Sequence, residues 1–386
     1  MVKYISLLFY SFLVIIFLTT PDPNGNTNIH YVVTSLLFLI YFIISLIKGI
    51  KHPLFSSKYP YDFFPLIWLL LWLYAAIIGV VNRAPLYNTI FNFPGMLLIL
   101  LYYLFRNIDI DQKRIYIIIN VSSFVTGIFL VMNLENLYQV FPSIFLQEIR
   151  YLYSATLILN ILSINFILLP SRELRRLNIS FKLFSIFSFF QLFSLIVLLL
   201  SISKGYYLSL LISFLLIAIK RVKWNFTSIF VFLIVGIASS YFIYTSNLLN
   251  LFDLDLVQNE LRSEQAFYLK RSFTWFGNGM GTLIDGYDRG HLGFAFELSY
   301  YNVLHKFGYI AGGILFSTYI INIIFTLRRL FSKDLKFESI LSVSILSYLI
   351  TSAGNPLLFL SLNVILHVVF LLVNRRDHVF FKKVLC

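Results

Sequence analysis

Apolar runs of similar length recur along this chain, separated by short polar breaks. Their cores lie near residues 4–18, 31–47, 62–81, 89–105, 115–133, 152–169, 181–200, 205–219, 226–243, 297–326, 339–352 and 357–373. A helix that crosses a bilayer needs roughly 20 mostly apolar residues, with a range of about 17–25. The pattern therefore predicts an all-α, polytopic membrane helix bundle of about twelve transmembrane helices, forming one integral membrane domain over residues 1–386. The first core follows Lys3 and ends at Thr19-Thr20-Pro21 without a small-residue cleavage pattern. It is expected to be a retained helix, not a removed signal peptide.

The breaks alternate between two kinds. Every second break is basic, beginning with Lys3, then Lys48, Lys51 and Lys58, then Arg106, Lys113 and Arg114. The series continues with Arg172, Arg175, Arg176 and Lys182, then Lys220, Arg221 and Lys223. It ends with Arg328, Arg329, Lys333 and Lys336, then Arg375, Arg376, Lys382 and Lys383, 22 cations in all. The intervening breaks hold Arg83, Arg150, Lys204, Arg262, Lys270, Arg271 and Arg289; with Lys306, just inside a helix, they make 8. Cytoplasmic loops of membrane proteins collect Lys and Arg, so both termini are expected in the cytoplasm.

Composition agrees with that reading. The chain is 59% hydrophobic, 18% aromatic and 12% charged, whereas soluble domains run roughly 45–50% apolar and about 25% charged. This excludes disorder and an ordinary soluble enzyme. A net charge of +13 would suggest a nucleic-acid partner in a soluble chain. Here the basic breaks carry the excess, so it reads as an orientation signal and no nucleic acid is expected. A single cysteine excludes an intrachain disulfide and a Cys-based metal site.

Most of the weakly basic breaks are short, but one runs over residues 244–296 and is rich in Asn, Asp, Glu and Gly. A long polar loop in a chain without a soluble domain is the natural place for chemistry. Ser201-Ile-Ser203-Lys204-Gly205 opens the helix after one short outer break. The long loop carries Phe276-Gly277-Asn278-Gly279-Met280-Gly281. A segment from Glu297 to Gly308 follows it, and Gly354-Asn355-Pro356-Leu357 opens the last core. In this order the stretches resemble the bacterial O-antigen polymerase (Wzy) family and, more distantly, the O-antigen ligases. The motifs cover the chain from about residue 200 onward, and the architecture is similar over its whole length. Two positions depart from the family pattern. Lys204 stands where an arginine is usual, which keeps the charge and loses a bidentate grip. Glu297 stands eleven residues before Gly308, where ligases show His-Asn, and this resembles the polymerase form.

The resemblance implies glycosyl transfer between undecaprenyl-diphosphate-linked glycans at the periplasmic face of the inner membrane. It also implies a chain-length regulator and a flippase of the same pathway as partners, and no metal or cofactor. A leaving diphosphate needs a cation, and an attacking hydroxyl needs a base. Glu297 is the expected base, with Arg271 and His291 as further catalytic candidates. Arg150, Lys204, Arg262 and Arg289 are the candidate diphosphate-binding residues, with Arg271 also suited to that role. Among these, Arg262 and Arg289 are as readily exposed loop charges, and Arg83 reads the same way. Gly277, Gly279, Gly281, Tyr301 and His305 are expected to form the substrate-binding loop, the glycines by letting the backbone approach a ligand or the membrane. Asp285, Asp288 and His291 are too loosely spaced to predict a metal site. Ser344, Ser347 and Thr351 repeat at helical spacing and predict helix packing. Trp68, Trp72, Trp224 and Trp275 are read chiefly as an interfacial belt, and Trp275 and Tyr287 as lesser candidates for stacking on sugars. An O-antigen ligase or a flippase without chemistry remains the alternative.

Overall fold

The computed structural model describes residues 2–19, 60–140, 142, 149, 152–201, 203–221, 256–284, 287, 296, 298–331, 334–355 and 357–375. The predicted cores 31–47 and 226–243 lie outside the described residues. The other ten each coincide with helix, and among the described residues there is no strand.

The α-helices are α1 (Val2–Thr19), α2 (Phe64–Val81), α3 (Leu86–Phe91), α4 (Leu101–Phe105) and α5 (Gln112–Met132). Next come α6 (Leu134–Val140), α7 (Ser154–Asn165), α8 (Ser171–Arg176), α9 (Phe181–Leu200) and α10 (Lys204–Arg221). The last are α11 (Leu256–Arg271), α12 (Ser299–Leu330), α13 (Phe337–Leu346), α14 (Tyr348–Thr351) and α15 (Ser361–Asn374). A 3-10 segment, Pro94–Leu100, leads into α4. Among the described residues, four helices are long and apolar enough to cross a membrane: α2, α5, α9 and α12.

Burial separates the long helices from several short ones. Ala155 to Asn165 of α7 are all buried, and α13 and α15 are buried almost throughout. The long α2 and α9 instead expose apolar flanks, including Leu70, Leu73 and Ile77 on one and Phe189, Leu192 and Ile196 on the other. That is the distribution expected when the outer helices meet hydrocarbon and the inner ones meet protein. Because hydrocarbon tails are as apolar as leucine, inner contacts rely on close packing and polar bonds. Between α5, α7 and α9, Ser123 donates to Asn160 at 2.6 Å, Ser163 to Asn120 at 2.9 Å and Gln191 to Asn120 at 3.1 Å.

Polar contacts at one end of the bundle join breaks of the basic kind. Buried Asp62, just before α2, meets Arg106 after α4 at 3.6 Å and Arg375 after α15 at 3.3 Å, and Tyr102 donates to it. Arg176 reaches Glu173 at 2.8 Å and Glu338 at 3.1 Å, while Gln112 donates to Glu338 at 2.6 Å. Contacts at the other end join breaks of the weakly basic kind. There Asn82 donates to Asn278 O at 2.9 Å, and Ser299 donates to Asn355 O at 2.7 Å.

Two expectations about interior side chains resolve differently. Ser347 takes part in packing as expected, its carbonyl accepting from Ser209 at 3.0 Å. Trp68 is not interfacial: it is fully buried, donates to Thr318 Oγ1 at 3.1 Å and stacks on His367 at 5.2 Å. Hydropathy places a tryptophan along a helix but does not reveal a polar partner on another helix.

Candidate functional site

The long loop contains an ordered helix, α11, followed by the glycine-rich turn. This turn is wedged between α2 and α12. Gly277, Gly279, Gly281 and, within α12, Gly308 all have φ between 76° and 86°, a conformation glycine adopts without steric cost. Gly308 is also a break inside α12, with φ 76° and ψ 179°. A Cβ on Gly277 would come within 2.4 Å of Lys306 O, and one on Gly281 within 2.5 Å of Thr89 N.

Backbone bonds hold the wedge on both sides. Asn278 N and Gly279 N donate to His305 O and Lys306 O at 2.9 and 3.0 Å, and Met280 N donates to Ala75 O at 2.8 Å. Beyond the kink, Tyr309 N and Ile310 N donate to Thr274 O and Trp275 O at 3.1 and 3.2 Å. The close approach predicted for these glycines therefore occurs, but for Gly277, Gly279 and Gly281 it is to the backbone of neighbouring elements.

Beside the wedge lies a cavity of about 770 Å³. Asn82, Arg83, Ala84 and Pro85 line it from the turn between α2 and α3. Tyr268, Arg271 and Ser272 line it from the end of α11, Asn278 and Gly281 to Ile284 from the turn, and His305 from α12. Arg271 lies over the Phe267 ring at 3.8 Å, and a stacked guanidinium keeps its donors in a fixed plane.

His305 is buried and held on several sides. The Asn278 amide nitrogen lies 3.0 Å from its Nδ1 and also donates to Ser272 O at 2.6 Å and His305 O at 3.2 Å. These carbonyl partners fix which amide atom faces the ring. On the other side of the ring, Nε2 lies 3.4 Å from Thr282 Oγ1. Ser272 Oγ completes the Nδ1 environment at 2.7 Å. These contacts hold the imidazole in place at the cavity wall.

Behind it, Lys306 is fully buried and donates to Thr282 O and, at 3.3 Å, to Thr282 Oγ1. It lies 5.3 Å from the Phe296 ring centroid, and no ion pair forms to it among the described residues. Arg83 and Arg271 thus line the cavity with positive charge, which raises local anion concentration in a cleft.

Of the predicted site residues, the structure brings Arg271, Gly281 and His305 to this cavity. Gly277 and Gly279 support it from behind. Lys204 is elsewhere, at the start of α10, where Gly205 approaches Thr351 and Asn355. Arg262 is two turns back along α11, and Tyr301 packs on Phe273 at 5.8 Å and under Lys270 at 5.5 Å. Tyr287 does not offer a free face for a sugar, being buried against Tyr268 at 5.1 Å and Phe296 at 6.3 Å. Trp275 is 68% exposed, with its edge against Tyr309. Arg150, Arg289, His291 and Glu297 lie outside the described residues, as do Asp285 and Asp288. Among the described residues no group of His, Cys, Asp and Glu is placed to hold a metal. Ser272, Asn278 and Thr282 were not singled out from the sequence individually, although Asn278 sits inside the glycine motif.

No protein-family model, curated protein or solved structure matches the chain.

Proposed function

We propose that this chain is an O-antigen polymerase, a glycosyltransferase of the bacterial inner membrane. It would join undecaprenyl-diphosphate-linked repeat units at the periplasmic face. The observation that carries the reading is the cavity in which Arg271 and His305 meet beside the glycine-rich turn. It brings two stretches of the ordered motif set, the glycine-rich turn and the segment ending at Gly308, into one place, with Arg271 beside them. The proposed topology has twelve spans with both termini inside. It is supported by the polar contacts, which link basic breaks to basic breaks at one end and weakly basic breaks to each other at the opposite end.

In the reaction, a hydroxyl of the incoming repeat unit attacks the anomeric carbon of the growing glycan. The new C–O bond forms as the bond from that carbon to the diphosphate oxygen breaks. Undecaprenyl diphosphate leaves with the electron pair, and the hydroxyl proton passes to a base, for which Glu297 is the proposed residue. Arg271 offers a guanidinium to the charge developing on the leaving diphosphate. His305, at the wall of the same cavity, hydrogen-bonds an oxygen of the bound glycan or diphosphate and orients it. The bilayer holds both lipid-linked substrates, and a flippase and a chain-length regulator complete the pathway.

Deletion of the gene in the source strain tests the proposal, with lipopolysaccharide resolved on a gel. A polymerase deletion leaves core carrying one repeat unit, and complementation restores the ladder. Bare core would instead indicate a ligase or flippase, and an unchanged ladder would sink all three readings.

A further inference from the structure

Three non-glycine residues among those described have a left-handed backbone: Arg83 (φ 60°), Phe93 (φ 54°) and Asn178 (φ 53°). L-residues avoid this region, with Asn among the exceptions. A residue held there needs something to keep it.

Two of the three are accounted for by their surroundings. Asn178 ends α8, where Asn178 N donates to Arg175 O at 3.0 Å and Ile179 N to Leu174 O at 2.9 Å. That crossed pair is the Schellman closure of a helix, whose left-handed position takes Gly or Asn. Phe93 is kept by packing, with its ring 4.8 Å from Phe359 and stacked 6.2 Å from Phe307.

Arg83 ends α2 with the same closure. Arg83 N donates to Val80 O at 3.0 Å and Ala84 N to Gly79 O at 2.9 Å. Here, however, the left-handed position holds an exposed arginine that, like Arg271, lines the cavity. The negative end of the helix dipole does not explain the choice. A cation anywhere in the last turn would serve it, and α2 has none there. Among the described residues no carboxylate pairs with Arg83.

We propose that Arg83 and Arg271 together form a two-cation grip for a diphosphate, with Arg83 supplied by the α2–α3 turn and Arg271 by the end of α11. A glycine at position 83 would suit the helix end better, so what the arginine adds is its charge at the cavity. The grip itself rests on the cavity and the backbone. Only the identity of the donor, a lipid-linked glycan, rests on the polymerase reading.

The test uses the purified full-length chain in detergent, titrated calorimetrically with farnesyl diphosphate and with inorganic diphosphate. The wild type should bind at least the lipid probe. Arg83→Gly should weaken binding by at least about tenfold, the worth of a charge-assisted contact, while its unfolding temperature stays at or above wild type. Arg83→Ala should lose binding equally but unfold below Arg83→Gly, because alanine keeps the backbone cost. If Arg83→Gly does not accumulate, Arg83→Gln carries the test by keeping length and backbone demand without charge. Equal affinity for the two probes assigns recognition to the diphosphate alone, and preference for the farnesyl compound adds the lipid; either result supports the grip. Wild-type affinity in Arg83→Gly or Arg83→Gln overturns it, as does a wild type that binds neither probe. If the gene deletion leaves the polysaccharide ladder intact while these variants lose binding, the polymerase reading fails and the grip stands.

Discussion

Gly79 of α2 and Gly279 of the glycine-rich turn meet backbone to backbone. A Cβ on Gly279 would lie 2.0 Å from Gly79 N, and one on Gly79 would lie 2.2 Å from Met280 O. Neither neighbour is a side-chain tip that can swing away. Gly279→Ala must therefore both displace a helix and hold alanine at φ 86°. Left-handed strain of about 1–2 kcal/mol adds to overpacking of roughly 1–3 kcal/mol. The expected outcome is a large fall in folded protein, read by size-exclusion chromatography of a fluorescent fusion. Gly354→Ala, with nothing within 4 Å of its Cβ, should elute like the wild type.

Two replacements of His305, one polar and one apolar, test the site more sharply than its removal. Gln can place a side-chain N–H near the Nε2 position, whereas Phe keeps ring volume without a donor. His305→Gln is expected to retain a shortened polysaccharide ladder and His305→Phe to abolish it, at equal protein levels by immunoblot. Asn278→Asp replaces the amide donor to the Ser272 and His305 carbonyls with an acceptor and should cut polymer by about tenfold or more, the cost of leaving buried polar groups unpaired. Full ladders from His305→Phe would remove His305 from the mechanism.

At the opposite end, Asp62 is the buried anion between Arg106 and Arg375. Asp62→Asn leaves two confined cations without it, and breaking such a pair costs about 3–5 kcal/mol. Arg172 and Asp334 form a comparison at 3.5 Å, with side chains 83% and 54% exposed. Exposed pairs are worth about 0–1 kcal/mol. Thermal unfolding in detergent should show a drop of several degrees for Asp62→Asn and almost none for Asp334→Asn.

Sidedness is testable because the chain has one cysteine, Cys386. In a Cys386→Ser background, Pro85→Cys lies beside the cavity and Asn107→Cys lies in a basic break, both at exposed positions. A membrane-impermeant maleimide should label Pro85→Cys in spheroplasts and Asn107→Cys only after lysis. The reverse pattern would turn the proposed topology over.

The helices were legible because hydrocarbon-compatible runs are long and the breaks between them are polar, as the match of 181–200 to α9 illustrates. Interruptions inside the runs were not. The break at Gly308 and the division at Ser347 depend on partners distant in sequence, namely the glycine-rich turn and Ser209. For the site, the motif signalled Gly281, and Arg271 stood out as a cation just ahead of it. Arg83 looked like any interfacial arginine, since neither its left-handed backbone nor its place in the same cavity as Arg271 leaves a trace in composition. Nothing in the spacing of Ser272, Asn278 and His305 shows that all three converge on one ring nitrogen.

The break at Gly308 also bears on how the molecule is assembled. Amides opened inside a spanning helix cannot be left facing lipid, and Tyr309 N and Ile310 N are answered by the carbonyls of Thr274 and Trp275. The loop precedes α12 in the chain, so its acceptors are synthesised before the donors that need them. The bent helix and the wedge are thus one folding unit: a chain lacking residues 274–281 would face a straight α12 or exposed amides. Cavity and kink should therefore be acquired, and lost, together.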